Sequence, residues 1–206
     1  MLKKIASGIN AGLCICMGGA VFLACENKVV GAVLFSVALL CICFKGYSLY
    51  TGKIGYIPEK HDKEAFSVLL FGLLGNAIGV TAGGMAIGHN MTALRDKATA
   101  ICTAKLEQIP LETLVRAMGC GILMYLAVSI FRDNDKNPIA IMFCIPVFIL
   151  SGFEHSIADF FYFACSSIRS LEAFFYILLV ILGNTIGSIL LPCLSMIGKG
   201  KENAKS

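Results

Sequence analysis

Charge is what this sequence has least of. Asp, Glu, Lys and Arg make up 15% of its 206 residues, against roughly 25% in a soluble globular domain. That shortage, beside 57% hydrophobic residues, excludes a soluble protein and reads as an integral membrane protein. A basic stripe interleaved with aromatics is absent, and the formal charge of +4 is scattered over connectors, so nucleic-acid binding is excluded as well. There is no low-complexity segment and no polar stretch long enough for a soluble domain. Ten cysteines are present, yet no CxxC or Cys/His metal spacing occurs. Cys14, Cys16, Cys41, Cys43, Cys120, Cys144, Cys165 and Cys193 lie inside apolar runs, where thiols behave as small hydrophobes. Neither a metal nor a cofactor is expected, and no nucleophile constellation points to an enzyme.

What the chain does have is six apolar runs, at about residues 5–25, 29–50, 65–88, 111–131, 138–165 and 171–198. The first follows Lys3-Lys4 and ends in Leu23-Ala24-Cys25, a signal-peptide pattern. It is longer than an ordinary signal core and matches the roughly 20 residues of a bilayer span. Gly8 and Gly12 within it suit a helix packed closely on another. Charged or turn-like connectors at 26–28, 53–64, 90–110, 132–137 and 166–170 separate the runs. Counting Lys and Arg on alternate sides puts ten with the termini (Lys3, Lys4, Lys53, Lys60, Lys63, Arg132, Lys136, Lys199, Lys201, Lys205) and five opposite. Both termini are therefore expected to be cytoplasmic, in a multi-pass protein of the cell membrane.

The runs repeat. Gly75-Asn76-Ala77-Ile78-Gly79 in the third and Gly183-Asn184-Thr185-Ile186-Gly187 in the sixth share the pattern G-N-x-I-G. Each follows a glycine-marked polar interruption in the run before it, at 46–52 and at 152–159. The chain thus divides into halves of three spans, about 1–90 and 108–198, with a tail at 199–206. Three is odd, so the second half must cross the bilayer in the opposite sense, an inverted 3+3 repeat. A broken helix exposes backbone groups that hydrocarbon cannot satisfy, so it is tolerated only within protein or beside a water-filled cavity. Paired breaks near the midplane mark a site or a pore, a single transmembrane channel domain.

An ionisable residue within the membrane is expected to be functional, which singles out Glu154 and His155. Taken as one straight helix, the fifth span sets Phe148, Gly152, His155, Asp159 and Tyr162 on one stripe. On the second span Phe35, Leu39, Ile42, Gly46 and Leu49 form a nearly wholly apolar counterpart. A pore between them is an oily tube with one titratable ring. A bare anion entering it loses its hydration at great cost, whereas its neutral acid passes; an imidazole, titrating near pH 6.5 when unperturbed, can exchange that proton. Glu154 is read as anchoring the loop or orienting its neighbours, Lys105 as a solvated loop cation and Arg116 as an interfacial anchor.

At these residues the chain resembles the formate/nitrite transporter family. Gly152-Phe153-Glu154-His155-Ser156-Ile157-Ala158 is similar to the family's fifth-helix signature, and the G-N-x-I-G elements stand where its third and sixth helices carry them. Leu49-Tyr50-Thr51 looks like its Leu-Phe-Thr element, and residues 116–121 with Leu126-Ala127-Val128 look like a degraded helix-four motif. Gly121 and Asp159 stand where the family has asparagine. The resemblance implies an all-α, aquaporin-like fold of six helices with interrupted second and fifth helices, assembled as a homopentamer with one pore per protomer. It implies passage of formate, nitrite, hydrosulfide or another small monovalent anion. By position it makes His155 the central histidine, with Thr51 facing it and Asn184 near it, and makes Phe35, Leu39, Leu49, Tyr50 and Phe148 the constriction. Lys105 becomes the lysine that attracts anions to the vestibule.

The expected function is a channel or proton-coupled transporter for weak-acid anions, embedded in lipid, with His155 mediating protonation. The alternative is a facilitator of a neutral small solute, water or a polyol, on the same fold. A non-conducting scaffold or membrane enzyme comes third.

Overall fold

Short polar residues and glycines write the helix boundaries. The structure, a computed structural model, describes residues 1–203, with side chains through residue 197. α1 (Leu2–Ala24) turns into α2 (Lys28–Lys45) at Asn27, whose side chain accepts from the Val29 and Val30 amides and so satisfies two of the orphan donors of a helix start. α2 stops at Gly46, which adopts the left-handed conformation, φ 69°, open to glycine without a steric penalty. After residues 46–49 comes the single turn α3 (Tyr50–Lys53), continued as a 3₁₀ turn over Ile54–Tyr56. Asp62 caps α4 (Lys63–Asn90), accepting from the Ala65 amide at 2.7 Å. α5 (Thr92–Leu106) and α6 (Pro110–Asp133) follow, the latter opening on proline, which tolerates the first helical turn. α7 (Ile139–Leu150) and α8 (Ser156–Cys165) are separated by residues 151–155, and α9 (Leu171–Asn203) closes the order.

α1, α2, α4, α6 and α9 (over Leu171–Ile197) are long and apolar enough to cross a membrane, and the chain is a multi-pass membrane protein. α7 and α8, with 12 and 10 residues, reach only about 18 and 15 Å at 1.5 Å per residue, short of a hydrocarbon core of about 30 Å. The run at 138–165 is therefore not one straight helix, and the single stripe expected from Phe148 to Tyr162 is spread over two helices and a turn. Gly152 causes the break, with φ 68°, close to the value at Gly46. Both breaks are shorter than expected, 46–49 and 151–155, because Ser156–Asp159 already form the first turn of α8 and Tyr50 begins α3. The connector at 90–110 is not a loop. It holds α5, whose Leu94, Ala98 and Cys102 are buried at four-residue spacing. The tail expected at 199–206 carries side chains that lie outside the described residues, including Lys199, Lys201 and Lys205.

Two intimate helix pairs set the frame. α1 lies on α4 where Gly8 and Gly12 meet Gly75 and Gly79; a methyl on Gly12 would stand 2.7 Å from the Asn76 carbonyl oxygen. α6 lies on α9 in the same way through Gly121, Gly183 and Gly187. A methyl at Gly121 would stand 2.8 Å from the Ser188 amide nitrogen, and Ser188 Oγ donates to the Gly121 carbonyl at 3.0 Å. Small residues let backbones approach where lipid provides no hydrophobic drive to association.

Candidate functional site

Each break leaves backbone groups without helical partners, and one buried asparagine serves each. Asn76 accepts from the Tyr50 amide at 2.9 Å and donates to the carbonyls of Gly8 at 2.9 Å and Ser48 at 2.8 Å. Asn184 accepts from the Ser156 amide at 2.8 Å and donates to the carbonyls of Ala117 at 2.9 Å and Glu154 at 2.8 Å. The partner helices repeat the pattern: the Ser48 amide donates to the Ser7 carbonyl and the Glu154 amide to the Arg116 carbonyl. Gly46, Ser48, Leu49 and Tyr50 thus occupy the places of Gly152, Glu154, His155 and Ser156. Asn184 spends its amide on backbone, so it positions the break that carries His155.

His155 is 3% exposed and caps α8. The Ala158 amide donates to Nδ1 at 3.1 Å, so the neutral ring carries its proton on Nε2, which donates to Thr51 Oγ1 at 2.8 Å. Thr51, fully buried, can in turn donate its hydroxyl proton onward. The Phe148 ring stacks on the imidazole with centroids 5.7 Å apart, and Phe35 meets Phe148 edge-on at 6.5 Å. The sequence therefore folds one imidazole behind aromatic and aliphatic walls, with both nitrogens committed.

Two cavities approach this group. One, of about 270 Å³, is lined by Leu39 and Leu49 at its inner end and carries Lys53, Arg132 and Lys136. The other, of about 230 Å³, is lined by Phe35, Phe148 and His155 and carries Lys28, Lys105 and Arg116 beside Glu154 and Asp159. Lys53, Arg132 and Lys136, counted with the termini, thus line one cavity, and Lys28 and Lys105, counted opposite, line the other. Leu39 and Leu49 line the first cavity and Phe35 and Phe148 the second. Tyr50 lines neither; its hydroxyl hydrogen-bonds Thr185 Oγ1 at 2.8 Å. Lys105 is not a solvated loop cation. It ends α5 and pairs with Glu154 and with Asp159 Oδ1, the latter at 2.9 Å. Burial alone would lower its pKa, but the Asp159 and Glu154 carboxylates outweigh that and hold it above the ordinary 10.5. Arg116 is not simply an interfacial anchor either, for it donates to the Gly152 carbonyl at 2.9 Å and pairs with Glu112 at 2.6 Å.

A model of the Formate/nitrite transporter family matches residues 1–197. The chain belongs to that family. The family is one of transporters, not of enzymes. The chain is 25% identical to the Formate-nitrite transporter of Plasmodium ovale, over 94% of this chain and 74% of that one. It is also 25% identical to that of Plasmodium falciparum (isolate 3D7), over 77% and 62%. With the uncharacterised transporter YwcJ of Bacillus subtilis (strain 168) it shares 27% identity, over 81% and 72%. The fold is that of solved structures described as an FNT family ion channel (TM-score 0.78, 21% identity, 96% of this chain and 88% of that one) and as a pentameric formate channel with formate bound (TM-score 0.76, 21% identity, 95% of each).

For a formate/nitrite transporter family member, the sequence overlooked Gln108 and named Arg116 and Asp159 without their partners. Gln108 donates to Glu154 Oε1 at 2.7 Å, Arg116 holds Gly152, and Asp159 binds Lys105. The spacing of Leu94, Ala98, Cys102 and Lys105 by four, four and three is the signal that identifies α5 and turns Lys105 inward.

Proposed function

We propose that this chain is a transmembrane channel or proton-coupled transporter for small monovalent weak-acid anions such as formate, nitrite or hydrosulfide. In this reading α7 and α8 complete a sixth crossing as α2 and α3 complete the second, and the halves 1–90 and 108–198 oppose each other as inverted repeats in one domain. Both termini face the cytoplasm. The chain assembles in the cell membrane as a homopentamer, as the solved formate channel does. The observation that carries the reading is the His155–Thr51 pair, with His155 lining a cavity that bears cations. Lys53, Arg132 and Lys136 gather anions at one mouth, and Phe35, Leu39, Leu49 and Phe148 admit the neutral form through the constriction. His155 mediates its protonation by passing between imidazole and imidazolium, with Thr51 hydrogen-bonded to Nε2. Glu154 secures Lys105, and Asn184 fixes the turn.

Replacing His155 by Asn or Phe is expected to change the pH dependence of formate uptake into proteoliposomes; an unchanged profile refutes the histidine's role. Swelling of the same vesicles in formate, nitrite and hydrosulfide across pH names the substrate. Rates independent of pH and of solute charge would instead mark a facilitator of neutral solutes.

A further inference from the structure

Lys105 is one ammonium facing two carboxylates. Fully ionised, the cluster of Lys105, Glu154 and Asp159 carries an excess negative charge among side chains only 13%, 3% and 3% exposed. Uncompensated charge at that depth is expensive, and two acids sharing one cation relieve it by keeping a proton. The hydrogen bonds identify the acid that holds it. Glu154 has a donor on each oxygen, Lys105 on Oε2 and Gln108 on Oε1, as an ionised carboxylate requires. Asp159 has Lys105 on Oδ1, while Oδ2 is buried without a hydrogen-bond partner among the described residues in a residue that lines the cavity. As a carboxylate oxygen it is an orphan; as a hydroxyl it is a donor, to the neighbouring Glu154 carboxylate or to a ligand in the cavity.

The other groups near Asp159 do not compete. Cys102 of α5, Cys120 of α6, Tyr162 of α8 and Tyr176 of α9 face it and are neutral at pH 7. α4 meets α8 through Gly84 and Gly88. Lys28 and Arg116 line the same cavity, Arg116 being held by Glu112. His155 cannot take a second proton without releasing the Ala158 amide.

We propose that Asp159 carries the proton that a weak-acid anion collects in this vestibule before it reaches His155. The Oδ2–H bond breaks, an O–H or S–H bond forms on the anion, and the charge left on Asp159 is stabilised by Lys105. A hydronium ion entering through the cavity mouth restores the proton, leaving as water, once the neutral acid has moved on. This rests on the transport reading above and supplies its proton source.

The full chain in proteoliposomes, with labelled formate as probe, tests it beside infrared difference spectroscopy. The wild type should show the C=O band of a protonated carboxylic acid at pH 7 that fades when formate is added, and Asp159→Asn should lack the band. Formate uptake at pH 7 should fall tenfold or more in Asp159→Asn with a flattened pH profile, and Asp159→Glu should restore the profile in part. A band that persists in Asp159→Asn, or an Asp159→Asn profile like the wild type's, overturns the proposal and leaves the pore reading standing. Wild-type vesicles that take up no formate, nitrite or hydrosulfide beyond protein-free vesicles overturn the transport reading and the proton-transfer step with it.

Discussion

Replacing Asn184 by Ala deletes one side chain and strands three backbone groups. The Ser156 amide loses its acceptor, and the Ala117 and Glu154 carbonyls lose their donor, all at contacts of 2.8 to 2.9 Å in a fully buried position. At about 0.6 kcal/mol per hydrogen bond, the average for membrane interiors, the loss is about 2 kcal/mol; at about 1 kcal/mol each it is about 3. Asn76 makes the same three kinds of bond with Tyr50, Gly8 and Ser48. Asn76→Ala should therefore cost an equal amount, within about 0.5 kcal/mol, although it lies in the half without the imidazole. Reversible unfolding of the purified protein in mixed micelles, followed by helical circular dichroism, measures both. A cost below about 0.5 kcal/mol for either variant would show that water or local rearrangement satisfies the breaks. A large inequality would show that the two halves are not held alike.

Three further perturbations probe the site and frame. Thr51→Val keeps the volume but leaves His155 Nε2–H without a partner; losing about 1.4 kcal/mol of hydrogen bonding should slow formate uptake about tenfold, and an unaltered rate would exclude the pair from the pathway. Gly187→Ala drives a methyl against the Met118 carbonyl and should destabilise by about 1–3 kcal/mol, read as a lowered Tm; no change would mean that α6 and α9 are looser than described. Lys105→Met strands the Glu154 carboxylate, at a cost of about 3–5 kcal/mol that Glu154→Gln in the same chain should partly relieve. Because the folded pKa of Lys105 is raised, its stabilisation is complete below 10.5 and fades only as pH climbs through the still higher folded value. Wild type and Lys105→Met should therefore converge in Tm in strong alkali, and also in acid low enough to protonate Glu154.

The breaks were legible because Gly46 and Gly152 interrupt apolar runs, and because G-N-x-I-G is too specific a pattern to be scattered by chance over small-residue helices. Their extent was not, since Ser156–Asp159 reads equally as polar turn or helix start until His155 is seen capping α8. α5 was hidden by its surface: Arg95, Asp96 and Lys97 made the segment look like a solvated connector, and its apolar face is narrow. The partners of Lys105 lie 49 and 54 residues further along the chain, beyond any local spacing rule. Tyr50 took its assignment from position alone, and the structure turns its hydroxyl to Thr185.

Leu49 fills, in the first half, the place that His155 fills in the second. A titratable ring at both would string proton carriers from one mouth to the other, a wire along which hydrogen ions hop without any passenger. The isobutyl group cuts that wire. In the transport reading, a cell that stores energy as a proton gradient can keep such a conduit open without short-circuiting itself, because Leu49, like Leu39 beside it in the same cavity lining, carries no proton.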